Sequence, residues 1–387
     1  MSLGHPVYAS MRTTIFDHMS GLARELGAIN LGQGFPYDNG PEPLRAAAAR
    51  AVMEKSNQYP PSAGLPELRD AICAFYLRFQ GLALSREQVT VTSGATEGIA
   101  AALLALVGQG DEVLVFPPAY DAYVPMIRRS GGIPVFVPLR PPGFGYDEAA
   151  IRAAITPRTK VILLNDPLNP AGTVAAEAEL AMLAKVCVEH DLIAISDEVW
   201  EQVRFDGRRH RSLIDFPGMA ERTVKLGSAG KIFGLTGWKV GWMVAGGELA
   251  TLVFRAHQFL TFTTPPPLMW AVAEGLMLGD TELDAIWRPW AEGRDRLKAG
   301  LERAGFAVLD NAATWFLCAD LSASGIALDD VTFSERAVRE AGVATVPVSA
   351  FYEGTAAPTN ILRFCFTKPA EMLDEAVERL ARFRTSL

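Results

Sequence analysis

The sequence predicts an α/β protein whose large domain contains a mainly parallel seven-stranded sheet sandwiched by helices, joined to a smaller α+β domain. From residue 88 to residue 196, short apolar runs alternate with helical segments, which is typical of βαβ units in a parallel sheet. The runs are apolar at nearly every position, which indicates strands covered on both faces. After Gly247 the pattern changes to long helices and then to mixed strands and helices, which predicts the smaller domain.

The predicted strands are short runs rich in β-branched and apolar residues. In the large sheet they are Gln88–Thr92, Val113–Phe116, Pro134–Pro138, Val161–Leu164, Leu192–Ser196, Thr223–Leu226 and Gly241–Val244. In the smaller domain they are Thr314–Ala319 and Ile361–Phe366.

Helices are predicted where apolar residues recur with helical spacing. In the first of them, Ile15–Leu26, the residues Phe16, Met19 and Leu22 fall on one face. The others are Pro41–Glu54, Leu65–Arg78, Ser93–Val107, Tyr120–Arg129, Asp147–Ala154, Ala176–His190, Glu248–Gln258, Leu268–Leu278, Thr281–Ala304, Asp330–Glu340 and Pro369–Arg384.

The length and composition of the chain suit two domains. The chain has 387 residues, of which 49% are hydrophobic, enough for a large core. We expect residues 1–40 to form an N-terminal arm and part of the small domain, and residues 41–265 to form the large domain. Residues 266–387 are expected to form the small C-terminal domain with a connecting helix.

Charge, cysteines and histidines argue against several classes of function. A formal net charge of −8 does not suit a nucleic acid or an anionic membrane as partner. The four cysteines are scattered without CxxC spacing and predict reduced, mostly buried thiols, hence a cytoplasmic protein. No apolar run resembles a signal peptide or approaches the roughly 18 residues of a membrane span. The five histidines include no HExxH pair, so no metal site is expected.

A single lysine among small residues is the first candidate for chemistry. Lys231 ends the segment Gly227–Lys231, and a second cation, Lys239, follows. A lysine amine becomes nucleophilic when desolvation or a neighbouring cation lowers its pKa. We therefore hypothesise that Lys231 forms a Schiff base with pyridoxal 5'-phosphate (PLP). The alternative is a surface lysine in a glycine-rich turn.

A PLP site also needs an anion cradle for the phosphate. The tripeptide Gly94-Ala95-Thr96 lies at a predicted strand-to-helix junction, where free N–H groups and the helix dipole favour an anion. Ser228 and Lys239 are expected to add a hydroxyl and a charge to the same phosphate. The alternative is an ordinary helix cap by Ser93.

Three further residues are predicted to contact the cofactor ring. Asp197 follows an apolar strand, and its partly buried carboxylate suits a protonated pyridine nitrogen; the alternatives are a helix cap or a salt bridge. Asn169, from the neighbouring strand-end loop, is predicted to bind the phenolic oxygen, although Asn-Pro also marks plain turns. Tyr120 is predicted to lay its ring on the pyridine face, with a core aromatic residue as the alternative.

The substrate carboxylate needs a cation, and Arg363 is the candidate. It lies within the apolar strand Ile361–Phe366, where an unpaired guanidinium is costly to bury. Its planar fork can hold a carboxylate through two parallel hydrogen bonds. The alternative is an internal salt bridge.

With these residues in place, the chain resembles the fold-type I PLP-dependent aminotransferases of class I/II, closest to the kynurenine/glutamine/methionine aminotransferase subgroup. The subgroup is suggested by Asn30–Pro36 and Thr236–Trp242. The further matching segments, in chain order, are Asn57–Tyr59, Thr92–Glu97, Tyr120–Tyr123, Asn165–Gly172, Ser196–Val199, Ser228–Lys231, His257-Gln258 and Arg363. The resemblance implies that residues 41–265 form a PLP-binding domain and that the enzyme is a transaminase.

The resemblance also implies roles for residues that the sequence pattern alone does not single out. Tyr59 would reach the phosphate of a neighbouring subunit in a homodimer, and Phe262 would likewise come from the partner and shape the substrate pocket. Gly34 would contact the substrate carboxylate through its backbone, and Phe16 would line the side-chain pocket. The one departure is Trp200, which stands where the family usually has a tyrosine that binds the phenolic oxygen. An indole N–H donates but cannot accept or ionise.

The expected substrate is a neutral L-amino acid with an apolar, aromatic, thioether or amide side chain, whose α-amino group moves to a 2-oxo acid. A dicarboxylate-specific pocket would want a second arginine, and the stretch Phe259–Leu268 contains none. The alternatives are a PLP-dependent C–S β-lyase of the cysteine-conjugate or cystathionine type and a non-catalytic PLP sensor. The acidic chain shows no additional DNA-binding domain, which disfavours the sensor.

Overall fold

The computed structural model describes residues 4–9, 11 and 13–387. The remaining positions, at the start of the predicted N-terminal arm, lie outside the described residues. The helices are α1 Pro6–Ala9, α2 Ile15–Leu26, α3 Glu42–Glu54, α4 Pro66–Gln80, α5 Ala95–Leu106, α6 Tyr123–Arg129, α7 Glu148–Ala154, α8 Glu177–Glu189, α9 Ala229–Ile232, α10 Gly247–Gln258, α11 Pro266–Leu276, α12 Asp280–Arg303, α13 Asp330–Arg336 and α14 Ala370–Thr385. A π-helical segment, Ala337–Ala341, extends α13.

The strands form three sheets. They are β1 Ile29–Asn30, β2 Val89–Thr92, β3 Glu112–Val115, β4 Ile133–Phe136, β5 Thr159–Asn165, β6 Ile193–Asp197, β7 Thr223–Ser228, β8 Gly241–Val244, β9 Ala307–Val308, β10 Phe316–Asp320, β11 Val343–Ala344, β12 Val346–Pro347 and β13 Ile361–Cys365. The two-residue strands are too short to produce a sequence periodicity, and the sequence did not predict them.

The large sheet has seven strands in the order β2-β8-β7-β6-β5-β3-β4. Strand β8 runs antiparallel to both of its neighbours, and every other pairing is parallel. The predicted mainly parallel seven-stranded sheet is therefore confirmed. Because β2 and β7 both oppose β8, the carboxyl ends of β2, β5, β6 and β7 lie at one edge of the sheet. Ligands of doubly wound sheets bind at this edge.

Helices cover both faces of this sheet, as the apolar strands predicted. Along β3, Val113 packs in a core with α5 and α10, whereas the next residue, Leu114, packs in a separate core with α8. Successive strand residues point to opposite faces, so both faces are buried. Among the described residues, no helix combines the length and apolar composition that crossing a membrane requires.

A four-stranded antiparallel sheet, β12-β13-β10-β9, forms the core of the C-terminal region with α12, α13 and α14. The N-terminal segment joins this region, because β1 pairs in parallel with β11. The apolar face of α2 supports the same junction, with Met19 and Leu22 packed near Val338. The domain boundaries at residues 41 and 265 stay predictions.

A buried ionic network supports the segment that follows β6. The Lys225 ammonium donates to the carboxylates of both Glu198 and Glu201, and its distance to the Glu201 oxygen is 2.6 Å. The His210 Nε2 lies 2.7 Å from a carboxylate oxygen of Glu198. Glu201 also accepts from Tyr76 at 2.8 Å. The two carboxylates and the imidazole lie within 4.8 Å of one another, a spacing that suits a metal ion, but Lys225 already bridges the carboxylates.

Within this network, the pKa values of Glu198 and Lys225 both favour the ionised forms. Burial alone raises the pKa of Glu198, but Lys225 and His210 outweigh it and lower that pKa to about 2. Burial likewise opposes the charge of Lys225, and Glu198 and Glu201 more than offset it, so its pKa is raised. The network fixes the backbone from which Asp197 and Trp200 project.

Lys225→Met should lower the free energy of unfolding by about 3–5 kcal/mol, because two buried carboxylates lose their shared cation. The measurement is urea unfolding followed by circular dichroism. Lys185→Met is the matched control, since Lys185 is 66% exposed and lies 3.8 Å from Glu189. Its cost should stay below about 1 kcal/mol. Equal losses for the two variants would contradict a charged network.

Candidate active site

A cavity of about 260 Å³ opens at the carboxyl edge of the large sheet. Ten of the predicted site residues line it together. They are Gly94, Ala95, Thr96, Tyr120, Asn169, Asp197, Trp200, Ser228, Lys231 and Lys239. These residues come from five separate strand ends and loops, and the topology brings them to one place. The cavity also exposes Asn165, which the sequence treated only as part of a loop.

Lys231 lies on the short helix α9, directly after β7. A Cβ atom added at Gly230 would stand 3.1 Å from the Thr236 Cα, so the small residue allows this tight turn. The lysine Nζ lies 4.7 Å from the Trp200 ring centroid and 5.1 Å from that of Trp315. Burial lowers the pKa of Lys231 to about 8, although the nearby Asp197 opposes this shift. A neutral amine is thus accessible near neutral pH, as a nucleophile or base requires.

Asp197 is the last residue of β6 and is 5% exposed. The Tyr123 hydroxyl donates to its carboxylate, and the Val199 N–H donates at 3.4 Å. Among the described residues, no cation forms an ion pair with it within 4.0 Å. Burial raises the pKa of Asp197 to about 6 despite these hydrogen bonds. A buried carboxylate without a counter-ion fits a protonated ring nitrogen.

The candidate phosphate cradle lies where β2 passes into α5. Gly94, with φ +83°, occupies the N-cap position, so the alternative of a cap by Ser93 is wrong. Within the described part of the chain, the N–H groups of Ala95 and Thr96 have no hydrogen-bond acceptor. A Cβ added at Gly94 would meet the Lys239 Nζ at 3.0 Å. Two free donors and an ammonium therefore face the same space, as an anion site requires.

The backbone approaches closely at this cradle. A Cβ at Gly241, the first residue of β8, would lie 2.7 Å from the Ala95 nitrogen. Lys239 itself has φ +55°, in the left-handed region that a lysine rarely adopts. Such backbone strain is common where a side chain is held for binding.

Asn169 is held beside Asp197 by a second asparagine. The Asn165 Nδ2 donates to the Asp197 carbonyl at 2.8 Å, and its Oδ1 accepts from the Asn169 N–H at 2.9 Å. Asn165 thus fixes two neighbouring strand ends to each other. The sequence did not assign it this role, because an asparagine in a strand-end loop has no pattern that separates a clamp from a turn residue.

Arg363 is 3% exposed, and its partners are neutral. One Nη donates to the Asn169 Oδ1 at 3.0 Å and the other to the Gly32 carbonyl at 2.8 Å. The Nε is buried without a partner, and no carboxylate among the described residues lies within 4.0 Å. The alternative of an internal salt bridge is therefore wrong for this part of the chain. Burial lowers the pKa of Arg363 to about 10, and a carboxylate ligand would offset that cost.

Aromatic rings surround this guanidinium. The centroid of Phe316 lies 4.0 Å from the Arg363 Cζ, and those of Phe351 and Phe16 lie at 5.2 Å and 5.5 Å. A Cβ at Gly34 would stand 2.8 Å from the Phe316 ring, so glycine is needed for this loop to approach. Phe16 thus lies beside Arg363, and Gly34 approaches the Phe316 ring that packs on the same guanidinium.

Trp200 is 3% exposed and packs edge-on against Trp315, with centroids 5.0 Å apart, and against Phe316 at 5.4 Å. It lines the cavity, and its ring faces the Lys231 amine. The indole therefore occupies the cavity wall beside the reactive lysine.

Tyr59 and Phe262 lie elsewhere. Their side chains are 83% and 40% exposed, and their rings contact each other at 5.3 Å. Neither residue lines the cavity of its own chain. The structure of one chain does not bring them to the site.

The fold and this cavity define a PLP-dependent enzyme of the aminotransferase class. The chain matches the family described as aminotransferase class I and II over residues 27–380, and it belongs to that family. It is an aminotransferase of fold type I that uses pyridoxal 5'-phosphate. Methionine and kynurenine aminotransferases are among its relatives. The prediction that the chain is similar to the kynurenine/glutamine/methionine aminotransferase subgroup is therefore confirmed.

Two relatives and one solved structure show how complete the similarity is. The chain is 44% identical over 381 residues to the probable N-succinyldiaminopimelate aminotransferase of Mycobacterium tuberculosis, covering 95% of this chain and 96% of that one. It is 39% identical over 369 residues to the methionine aminotransferase of Escherichia coli, covering 95% of each. A solved structure of the M. tuberculosis N-succinyldiaminopimelate aminotransferase has a TM-score of 0.93 at 43% identity, covering 98% of this chain and 99% of that chain.

Cofactor affinity should depend on the ionisation of Asp197. Its pKa of about 6 is above the ordinary 3.8, so it takes up a proton as the pH falls below 6 and loses the charge that pairs with the ring nitrogen. The affinity advantage of the wild type over Asp197→Asn should therefore shrink about tenfold between pH 7.5 and pH 5. PLP titrations followed by absorbance give the dissociation constants of both proteins at each pH. The titration of the PLP phosphate affects both constants equally and cancels in their ratio. A ratio that stays constant across this range would contradict the assignment.

Trp200→Tyr should shift the pKa of the bound cofactor's visible absorbance change, because a phenol can accept and ionise where indole N–H only donates. Spectral titration measures the shift. Trp290→Tyr is the control, because Trp290 contacts Trp315 at 5.2 Å but does not line the cavity. An unchanged titration in Trp200→Tyr would show that the indole does not act on the cofactor.

Proposed function

We propose that this enzyme transfers the α-amino group of a neutral L-amino acid to a 2-oxo acid, as a cytoplasmic homodimer with shared active sites. The observation that carries the proposal is Arg363, a buried guanidinium without a carboxylate partner among the described residues and with three aromatic rings around it. Such a site suits the carboxylate of an amino acid whose side chain is apolar or aromatic.

Each cavity residue then has a role. Lys231 would anchor the cofactor, and Asp197 would hold the proton on its ring nitrogen. Asn169 and Trp200 would serve the phenolic oxygen, and Tyr120 would serve the ring face. The residues that would hold the phosphate are Gly94, Ala95, Thr96, Ser228 and Lys239.

PLP, when bound, supplies an electron sink for the charge left at the substrate Cα. The protein supplies position and proton transfer. Arg363 and the backbone at Gly34 orient the substrate carboxylate, which fixes the Cα. Once the substrate amine has displaced it, the neutral Nζ of Lys231 would accept the proton from that carbon as general base and then donate it to the aldehyde-derived carbon of the cofactor as general acid. Its lowered pKa of about 8 suits both tasks near neutral pH.

The side-chain preference rests on the stretch Phe259–Leu268, which the resemblance assigns to the partner's pocket. This stretch has no arginine or lysine that could pair with a distal carboxylate of the substrate. Phe16 and Phe262 would form apolar walls. The name of the E. coli relative, methionine aminotransferase, agrees with a thioether donor, whereas the name of the M. tuberculosis relative points to a longer, acylated substrate.

The homodimer is supported by the exposed pair of Tyr59 and Phe262. Two aromatic rings that contact each other in solvent, away from their own cavity, suit contact with a second copy. Phe262 has φ +64°, a strained conformation that a partner contact would justify. In this arrangement Tyr59 binds the partner's phosphate and Phe262 borders the partner's substrate pocket.

A panel of amino acids with 2-oxoglutarate tests the function. Methionine, glutamine and aromatic donors should exceed aspartate in kcat/KM by at least about tenfold, because a second carboxylate would be buried unpaired. Lys231→Ala should lose the activity, and light scattering should give a dimer.

Two outcomes would contradict the proposal. Release of pyruvate and ammonia from cystathionine without an oxo-acid acceptor, at a rate above transamination, would indicate the β-lyase. Full activity in Lys231→Ala would show that Lys231 is not required for the reaction.

A further inference from the structure

Behind the phosphate cradle lies a buried ion pair that none of the roles above uses. The His257 Nδ1 lies 2.9 Å and 3.1 Å from the two carboxylate oxygens of Glu97. The same ring's Nε2 lies 2.9 Å from the carbonyl oxygen of Ser62. The side chains of His257 and Glu97 are 0% and 9% exposed.

Both ring nitrogens of His257 therefore face acceptors, and only the doubly protonated imidazolium donates to both. Burial alone lowers the pKa of His257, but Glu97 and the Ser62 carbonyl more than offset it, so that pKa is raised. Glu97 is the titratable group that faces this ring among the described residues.

The pair contacts the cradle directly. The second oxygen of Glu97 accepts the backbone N–H of Ser93 at 3.0 Å. Ser93 precedes Gly94, so this bond fixes the backbone that leads into the free N–H groups of Ala95 and Thr96. The Ser93 hydroxyl also contacts that of Thr264 at 3.2 Å. Glu97 thus holds the turn that leads into the cradle donors.

Charge gives the pair a second effect. Glu97 lies in the first turn of α5, one residue after Thr96. A carboxylate so close to the cradle would repel a phosphate dianion, and the His257 imidazolium compensates it. The pair therefore removes a negative charge that would otherwise offset the positive character that Lys239 and the free N–H groups give the cradle.

We propose that Glu97 and His257 are positioning residues that hold and neutralise the phosphate cradle, and that the pair selects for a phosphorylated cofactor. The inference rests on the proposed role of Gly94, Ala95 and Thr96 as the phosphate site. A helix-capping glutamate beside a core histidine would stabilise the fold equally but would not distinguish a cofactor with a phosphate from one without it.

The test compares PLP with pyridoxal, which has the same ring and aldehyde but no phosphate. Dissociation constants of the apoenzyme for both are measured by absorbance in wild type, His257→Gln and Glu97→Gln. In His257→Gln the amide can still donate to Ser62 but no longer pairs with Glu97. It should weaken PLP binding on the order of tenfold and leave pyridoxal binding within about twofold.

Glu97→Gln should reduce the preference for PLP less than His257→Gln, because it leaves no negative charge beside the phosphate. The His257 imidazolium that loses its carboxylate either stays positive, which favours the phosphate, or releases its proton. Glu282→Gln is the matched control. Glu282 accepts the Gly279 N–H at 2.9 Å in the first turn of α12, and it does not line the cavity. In Glu282→Gln, the ratio of the pyridoxal and PLP dissociation constants should equal that of the wild type. Thermal unfolding is measured to check that each variant is folded.

The outcomes separate the two levels of the argument. If the wild type bound PLP no more tightly than pyridoxal, the proposed role of Gly94, Ala95 and Thr96 as the phosphate site would be contradicted. A wild-type preference for PLP that both cradle variants retain would overturn the role of the ion pair. Equal losses for PLP and pyridoxal in His257→Gln would also overturn it, because they would indicate a structural role alone.

Discussion

Two buried charges without counter-ions define the active site of this aminotransferase. Asp197 and Arg363 are 5% and 3% exposed, and neither has an oppositely charged side chain within 4.0 Å among the described residues. Burying such charges costs free energy that the folded protein must offset elsewhere. In the proposed function the complementary charges are the cofactor ring nitrogen and the substrate carboxylate, so that ligand binding would relieve a cost that the fold already carries. The raised pKa of Asp197 and the lowered pKa of Arg363 express that cost.

Other buried charges near the site, by contrast, have charged partners. Lys225 joins Glu198 and Glu201 under the segment that carries Asp197 and Trp200, and His257 joins Glu97 behind the cradle. Both networks consist of buried charges with partners, which are expensive to break and therefore hold geometry. The paired charges thus stabilise the backbone around the site, and the two unpaired charges are those proposed to bind the cofactor and the substrate.

Trp200 stands where the resemblance to the family leads one to expect a tyrosine. Its indole faces the Lys231 amine at 4.7 Å, and Trp315 lies on another side of the same amine at 5.1 Å. An aromatic face attracts the ammonium form and opposes the loss of its proton. Burial outweighs this attraction, since the pKa of Lys231 is still lowered. The lysine therefore remains available as a base beside a residue that cannot ionise.

The sequence by itself determined the sheet and most of the cavity, because continuous apolar strands and small-residue motifs at strand ends depend on local chemistry. It predicted Lys231, Asp197, Asn169, Arg363 and the Gly94–Thr96 segment, and the structure gathers them. It did not predict Tyr123, Asn165 or the pairing of Glu97 with His257. These contacts join residues far apart in the chain, and a hydroxyl, amide or imidazole carries no local pattern that names its partner. Only the tertiary structure decides which polar groups have partners and which buried charges remain available to a ligand. The reason is that the neighbours of each group come from distant parts of the chain and are brought together by packing.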